Sequence, residues 1–482
     1  MDTTNPEFSD LVTAGKRPIS EVSHVRFFDR ERTVAGPGFS RWLVPPAALA
    51  VHLSIGQVYA FSVFKLPLTK ILGITKSAPG DWTQPQLAWI FSLAICFLGL
   101  SAAVFGRWVE RVGPRKTMAT AALCFGGGLI VASFGVWLHQ LWLIYLGYGV
   151  LGGCGLGLGY ISPVSTLMKW FPDRPGMATG MAIMGFGGGA FVGSNLSLLL
   201  MDHFKSATNT GVGQSFLALG LIYFCYMMFG SFIVRVPAKD WKPAGYQPPD
   251  HPHGLISNVN VALDQAWRTP QFWLLWVVLC FNVTAGIGIL EQASPMIQEM
   301  FNGKVTVTAA GGFVALLSLF NMGGRFIWSS LSDYTGRKAI YIVYLLLGAV
   351  LYCLIHFAGY SGSVPLFVAI CAVIVSMYGG GFATIPAYLK DLFGTMQVGA
   401  IHGRLLTAWS VAGILGPVLV NYIREYLQAN GASGVGLYAP TMYLMSGLLV
   451  IGLICNLCVR PVDKRFHFQE KKLQAPRYAS YG

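Results

Sequence analysis

The sequence predicts an all-α membrane protein with twelve transmembrane helices in two pseudo-symmetric six-helix halves, and three observations carry that prediction. The first is composition: of 482 residues, 54% are hydrophobic and only 11% charged, whereas a soluble domain has about 25% charged residues. The second is that apolar stretches close to the roughly 20 residues a bilayer requires recur twelve times. They lie at 42–64, 86–105, 118–138, 141–168, 177–200, 216–234, 272–296, 307–331, 340–356, 365–389, 405–423 and 438–459. The third is a polar stretch, 235–270, with Pro237, Pro243, Pro248, Pro249 and Pro252, which divides them six and six. The expected organisation is a leading segment over 1–41, one half over 42–234, a linker over 235–270, the other half over 271–459 and a basic tail over 460–482.

Taken in order, residues 1–41 hold no apolar core of signal-peptide type and carry Arg26, Arg30 and Arg32, so the segment is expected to remain on the chain as a disordered cytoplasmic extension. Lysine and arginine concentrate in alternate loops, the linker and both ends. The positive-inside rule therefore predicts both termini in the cytoplasm, and short external loops suit a bacterial inner membrane. The formal charge of +13 is accounted for by that topology and by attraction to anionic lipid. No basic soluble face for nucleic acid is present in the pattern. The linker is expected to end in a short surface helix around 259–267. All nine cysteines fall in apolar segments, where thiols behave as small hydrophobes. Cys455 and Cys458 have metal-like spacing but neither a second pair nor a histidine beside them, so no metal or other cofactor is expected.

The halves repeat each other. Gly106-Arg107-Trp108-Val109-Glu110-Arg111-Val112-Gly113-Pro114-Arg115-Lys116 follows the second apolar segment, and Ser332-Asp333-Tyr334-Thr335-Gly336-Arg337-Lys338 follows the eighth. Met168-Lys169-Trp170-Phe171-Pro172 ends the fourth segment as Leu389-Lys390-Asp391-Leu392-Phe393-Gly394 ends the tenth. A duplicated six-helix unit explains both echoes. A carboxylate at such a junction can pair with loop arginines and hold helices together. The expected latch comprises Glu110, Arg111, Arg115, Asp333 and Arg337; the alternative is a solvated turn worth only about 0–1 kcal/mol per exposed pair.

An acid, then glycine, then basic residues after the second helix of each half resembles the signature of the major facilitator superfamily, whose halves are built from three-helix repeats. Arg268-Thr269-Pro270-Gln271-Phe272-Trp273, Trp170-Phe171-Pro172-Asp173 and Asn321-Met322-Gly323-Gly324-Arg325 further resemble the oxalate:formate antiporter family, related to the monocarboxylate transporters. The resemblance implies a major facilitator fold and a carrier of small organic anions.

Arg325 is isolated in an uncharged run from 305 to 332. A guanidinium at membrane depth costs about 2.5–3.5 kcal/mol on insertion scales, so it is expected to face a cavity and bind an anion; the alternative is an ion pair with a carboxylate on a neighbouring helix. Helical spacing puts Asn321 and Trp328 on its stripe, and Asn321 is expected to steady it. The resemblance departs here, because many monocarboxylate transporters have an acid at the position of Asn321. His52, near the middle of the first helix, is a candidate for proton coupling, or else a neutral histidine bonded to a neighbouring helix. Gln57, one position off its face, is a weaker candidate for substrate contact.

The glycines at 152–159 and 185–189 are read as close-packing positions. Tyr59, Tyr160, Tyr378, Phe382 and Trp409 fall where the antiporter resemblance implies cavity-lining side chains, although aromatic stripes also serve simply as packing. Trp409 occupies the position at which oxalate-handling members of that family have a lysine. A dianion would leave one carboxylate unpaired in a low-dielectric site.

The expectation is a monomeric secondary transporter of a monocarboxylate such as formate, lactate or pyruvate, using proton symport or exchange against another anion. Oxalate:formate exchange and a transport-derived solute sensor are the alternatives. An enzyme is disfavoured, since no paired carboxylates, His-Glu-x-x-His pattern or sizeable soluble domain is present.

Overall fold

The computed structural model describes residues 27–239, 241–246, 255–257, 259–301 and 304–468. Among the described residues, twelve helices are long and apolar enough to cross a membrane. The first half comprises α1 (Arg41–Ala60), α2 (Gln84–Val112), α3 (Pro114–Trp137), α4 (Leu141–Trp170), α5 (Pro175–Phe204) and α6 (Val212–Ile233). The second comprises α7 (Pro270–Met300), α8 (Val307–Thr335), α9 (Arg337–Tyr360), α10 (Val364–Phe393), α11 (Val398–Ala429) and α12 (Ala439–Cys458).

Helix starts follow from side chains that occupy the free amides of the first turn. Thr83 and Gln86 form a capping box at α2. Thr269, Thr306 and Ser363 accept from Phe272, Ala309 and Leu366 at the starts of α7, α8 and α10. The repeated joints α2–α3 and α8–α9 each turn on one glycine, Gly113 (φ +84°) and Gly336 (φ +86°), a conformation that penalises any side chain. Large apolar residues such as Val104, Leu199, Phe229 and Ile327 remain exposed on the outer faces of the bundle, the reverse of a soluble protein and the expected face toward lipid.

Three helices depart from regular winding. The helix α4 widens to a π-helical stretch over Tyr145–Leu151. The helix α1 is α-helical over Val44–Ile55 and tightens to a 3-10 turn over Gly56–Ala60. The helix α11 breaks after Leu405, so that Val398–Leu405 and Thr407–Ala429 are separate segments.

Some elements differ from the sequence expectation. Residues 27–41 are not an unstructured extension: Arg30–Thr33 forms a 3-10 turn, and Val34 bridges Val236 of the linker. Their apolar side chains have a partner in α6, against whose Phe232 the Phe27 ring packs edge-on. The tail is likewise tied down as far as residue 468, with His467 bridging Val261. The linker helix is shorter than expected, Leu263–Ala266. Residues 27–41, the described part of the tail up to 468 and the linker thus meet at one end of the bundle, called here the linker end; residues 1–26 and 469–482 lie outside the described residues.

Candidate substrate site and gate

Arg325 is fully buried on α8, clasped between α5 and α10. Glycines make that seat. A Cβ on Gly187 of α5 would stand 3.0 Å from the Arg325 Nε, and one on Gly379 of α10 would stand 2.6 Å from the Asn321 Oδ1 and 3.0 Å from the Arg325 Cγ. Nε donates to Asn321 Oδ1 at 3.0 Å. The two terminal amino groups have no hydrogen-bond partner, and the side chain makes no ion pair among the described residues. An unpaired cation in a dry interior is costly, and a planar fork with both prongs free is the receptor a carboxylate fills bidentately.

Around that fork stands an aromatic box drawn from both halves. The guanidinium lies 5.5 Å from the Phe186 ring of α5 and 5.3 Å from the Phe382 ring of α10, within cation–π range. Trp409 of α11 packs against Phe382 (4.3 Å), Phe186 (5.3 Å) and Tyr160 of α4 (5.3 Å). Tyr59 and Tyr378 join the halves through their hydroxyls at 2.9 Å. Arg325 neighbours the hydroxyls of Tyr59 and Tyr160, and the Tyr160 hydroxyl and Trp409 Nε1 are themselves buried without partners. Arg325, Asn321, Tyr59, Tyr160, Tyr378, Phe382 and Trp409 are therefore all brought together. Trp328, on the same sequence stripe, instead turns to Ser376.

Gln57 is not part of this cluster, which corrects the sequence expectation. Its amide donates to Ser197 at 3.2 Å and accepts from Tyr223 at 2.8 Å, wholly within the first half. Its place one residue off the face of His52 and Tyr59 is the reason: there the amide meets Ser197 of α5 and Tyr223 of α6.

His52 packs edge-on to Tyr160 at 5.4 Å; its Nδ1 donates to the Ala48 carbonyl of its own helix at 3.1 Å, and Nε2 is unpartnered. Opposite it, 5.8 Å from Tyr160, stands His402 of α11, buried with neither ring nitrogen bonded. The sequence reading missed His402, since it placed the eleventh helix from residue 405 onward and left this residue in a loop. It also passed over Phe186 by treating 185–189 as a glycine packing run.

A cavity of about 260 Å³ reaches the box from the end opposite the linker, lined by Tyr59, Ser62, Lys65, Phe91, Ser294, Ser318 and Asn321 among others. Arg325 is not in the lining. It lies behind Asn321 and Tyr59, so the binding fork is occluded beneath the Tyr59–Tyr378 contact.

The linker end is closed by two matching cross-connections. Asp333, at the end of α8, accepts from the Gly176 and Met177 amides at 2.8 Å each, capping α5 of the other half. Glu110, at the end of α2, accepts from the Gly399 amide at 3.2 Å, capping α11 of the other half. Carboxylates at helix N-termini satisfy orphan amides and the helix dipole together. Arg337 holds Asp333 at 2.6 Å and Asp391 at 3.0 Å, and Lys390 donates across to the Pro172 carbonyl at 3.0 Å.

The first-half members of the expected latch, Glu110, Arg111 and Arg115, do not pair with one another among the described residues. Glu110 pairs with Lys169 at 2.9 Å rather than with Arg111 or Arg115. Arg115 donates to the Phe27 and Phe232 carbonyls, fastening the leading segment, because the turn at Gly113 sends α3 away from Glu110. Arg111 lines a crevice at the linker end without a carboxylate partner among the described residues.

Two six-helix halves closed at one end and hollow at the other, around an occluded cation, have the architecture of a membrane transporter. The chain belongs to the Major Facilitator Superfamily, whose family model matches residues 47–417 and 304–477. It is 28% identical over 385 residues to the oxalate:formate antiporter of Oxalobacter formigenes, covering 78% of this chain and 83% of that protein. It is 22% identical over 450 residues to the apicoplast pyruvate carrier 1 of Toxoplasma gondii, covering 82% and 79%. Its fold matches that of the proton:xylose symporter XylE with a TM-score of 0.63 at 12% identity, over 86% of this chain and 94% of the other.

Gly379→Ala is expected to lower uptake at least about tenfold, since the added methyl pushes Asn321 and the guanidinium out of register and small misplacements are costly in preorganised sites. Initial-rate uptake by reconstituted protein, with the folded fraction checked by gel filtration, measures this; unchanged rates would show that Gly379 does not shape the seat.

Proposed function

We propose that this protein transports a small monocarboxylate of the formate, lactate or pyruvate type by rocking its halves around Arg325, coupled to a proton or to exchange against a second anion. The observation that carries the reading is the pair of free guanidinium amino groups inside an aromatic box. One carboxylate would satisfy both, and the Tyr160 hydroxyl and Trp409 Nε1 are further donors for its oxygens. In this reading Tyr59, Tyr378, Phe382 and Asn321 complete the pocket, and His52, beside Tyr160, is the coupling candidate. Glu110, Asp333 and Arg337 hold the linker end shut, which the positive-inside pattern assigns to the cytoplasm.

Oxalate exchange, suggested by the 28% identical antiporter, is the second reading. Against it, no second cation stands beside Arg325 among the described residues, because Trp409 fills the place where the family resemblance implies a lysine. Uptake of labelled mono- and dicarboxylates into proteoliposomes under an imposed pH gradient is the test. Monocarboxylate accumulation is expected; oxalate as the preferred substrate would favour the second reading, and binding without accumulation a sensor. Trp409→Lys is expected to shift preference toward dicarboxylates in the same competition panel, and an unchanged ranking would count against the single-charge argument.

A further inference from the structure

The carboxylate site leaves His402 without a task. It lies on Val398–Leu405, the first segment of α11, fully buried, and neither ring nitrogen has a hydrogen-bond partner. A histidine kept for packing bonds at least one nitrogen, as buried polar groups generally do and as His52 does to the Ala48 carbonyl. The ring belongs to the second half and faces Tyr160 of the first, which His52 also touches. It stands three residues from Gly399, whose amide Glu110 caps from the other half. About one helical turn therefore separates it from a contact that must part when the linker end opens.

The acids around this segment are engaged elsewhere. Glu110 of α2 holds Lys169 of α4, Asp264 of the linker holds Arg107 and Arg404, and Asp391 of α10 holds Arg337. Lys390 of α10 reaches the Pro172 carbonyl, Arg111 of α2 lines the linker-end crevice, and α7 has no charged residue over 270–290. On the inner side stand Tyr160, His52 and, beyond them, Arg325. A proton on His402 in the closed, empty form would thus add a positive charge to a dry interior that already holds one, with no anion to meet it. A carboxylate on Arg325 cancels the first charge and makes the second tolerable.

We propose that His402 exchanges a proton with the linker-side compartment, and that the empty carrier must discharge it before the linker end can close, whereas the loaded carrier need not. The proposal rests on the carboxylate-transport reading above and goes beyond it by tying the return of the empty carrier to pH on one side. Once the halves part, the ring is wetted and titrates as an ordinary imidazole does, at about 6.5. The open, empty form then binds a proton that the closed, empty form does not, so acid on the linker side favours the open one. The fraction able to close falls about tenfold between about pH 7.5 and 5.5.

The experiment is net uptake of labelled pyruvate, and its exchange against internal pyruvate, in proteoliposomes oriented with the linker end inward. The interior is buffered at about pH 7.5 or 5.5 and the outside is held constant. For wild type, net uptake is expected to fall about tenfold at the acidic internal pH while exchange keeps its rate, since exchange never needs the empty return. In His402→Gln, which stays polar but binds no proton, net uptake should cease to depend on internal pH and exchange should continue. His402→Asn is the second variant should Gln fail to pack. A packing defect alone would slow both modes at both pH values. Net uptake that ignores internal pH in wild type, or that keeps the wild-type response in either variant, overturns the role of His402 and leaves carboxylate transport standing. Absence of both uptake and exchange of any monocarboxylate by wild type overturns the transport reading itself, and the role of His402 with it.

Discussion

Arg325→Lys is expected to reduce anion uptake by at least about 100-fold while the protein still folds and inserts. An ammonium in this seat cannot offer two parallel donors, cannot keep its bond to Asn321 in the same geometry and stacks less well on Phe186 and Phe382. Misplacing a bound group by about 1 Å is enough for a loss of that order. Rates of labelled monocarboxylate uptake, alongside thermal unfolding to confirm a folded carrier, give the answer. Near-normal uptake would remove Arg325 from direct contact with substrate.

Asp333→Asn is expected to release the linker end. The Asp333 and Arg337 side chains are each only 7% exposed, so the pair is a buried one. That pair lies within the second half; the bonds that cross are those from the Gly176 and Met177 amides, and since a hydrogen bond to a charged group contributes about 1.5–3 kcal/mol, weakening them would move the balance between closed and open by about 10- to 100-fold. The variant should therefore expose the linker-end face of Gly180 and Ser329, now in contact, and slow exchange because the return to the closed form is disfavoured. Substrate affinity at Arg325 should stay close to wild type. Labelling of a cysteine introduced at Ser329, compared with and without Asp333→Asn, reports the opening. Equal labelling together with equal exchange rates would show that the cap contributes nothing to the cycle.

Much of the fold was legible because a bilayer imposes one strong rule, long apolar runs, and the runs were there to be counted. The duplicated acid–glycine–base loops were legible for a similar reason, since charges at helix junctions stand out in a chain with so few. Arg325 was visible as a charge in an apolar background. What escaped notice lacked a residue-type signature. Glu110 and Asp333 were recognisable, yet their cross-half partners are the amides of Gly399, Gly176 and Met177, and a backbone donor leaves no trace in the alphabet. Gln57, one position off the central face, was offered as a weaker contact because it is polar at membrane depth; its partners Ser197 and Tyr223 lie far off in sequence, and nothing in the spacing discloses them. His402 was missed because it and Arg404 dilute the hydropathy of Val398–Leu405, although that segment is helical and brings the imidazole against Tyr160. The aromatic box was foreseen residue by residue from a family likeness, but its sixth wall, Phe186, was hidden inside a glycine run.

The reciprocal placement of the two acidic caps has a mechanical outcome. Each half contributes one clasp and receives the other, so neither can tilt away without parting both fastenings in the same stroke. Partial openings would forfeit nearly the full attraction while gaining little hydration, which leaves them sparsely visited. In the rocking cycle proposed above, such a molecule would act as a toggle with two resting positions, the property that keeps a carrier from becoming a leak.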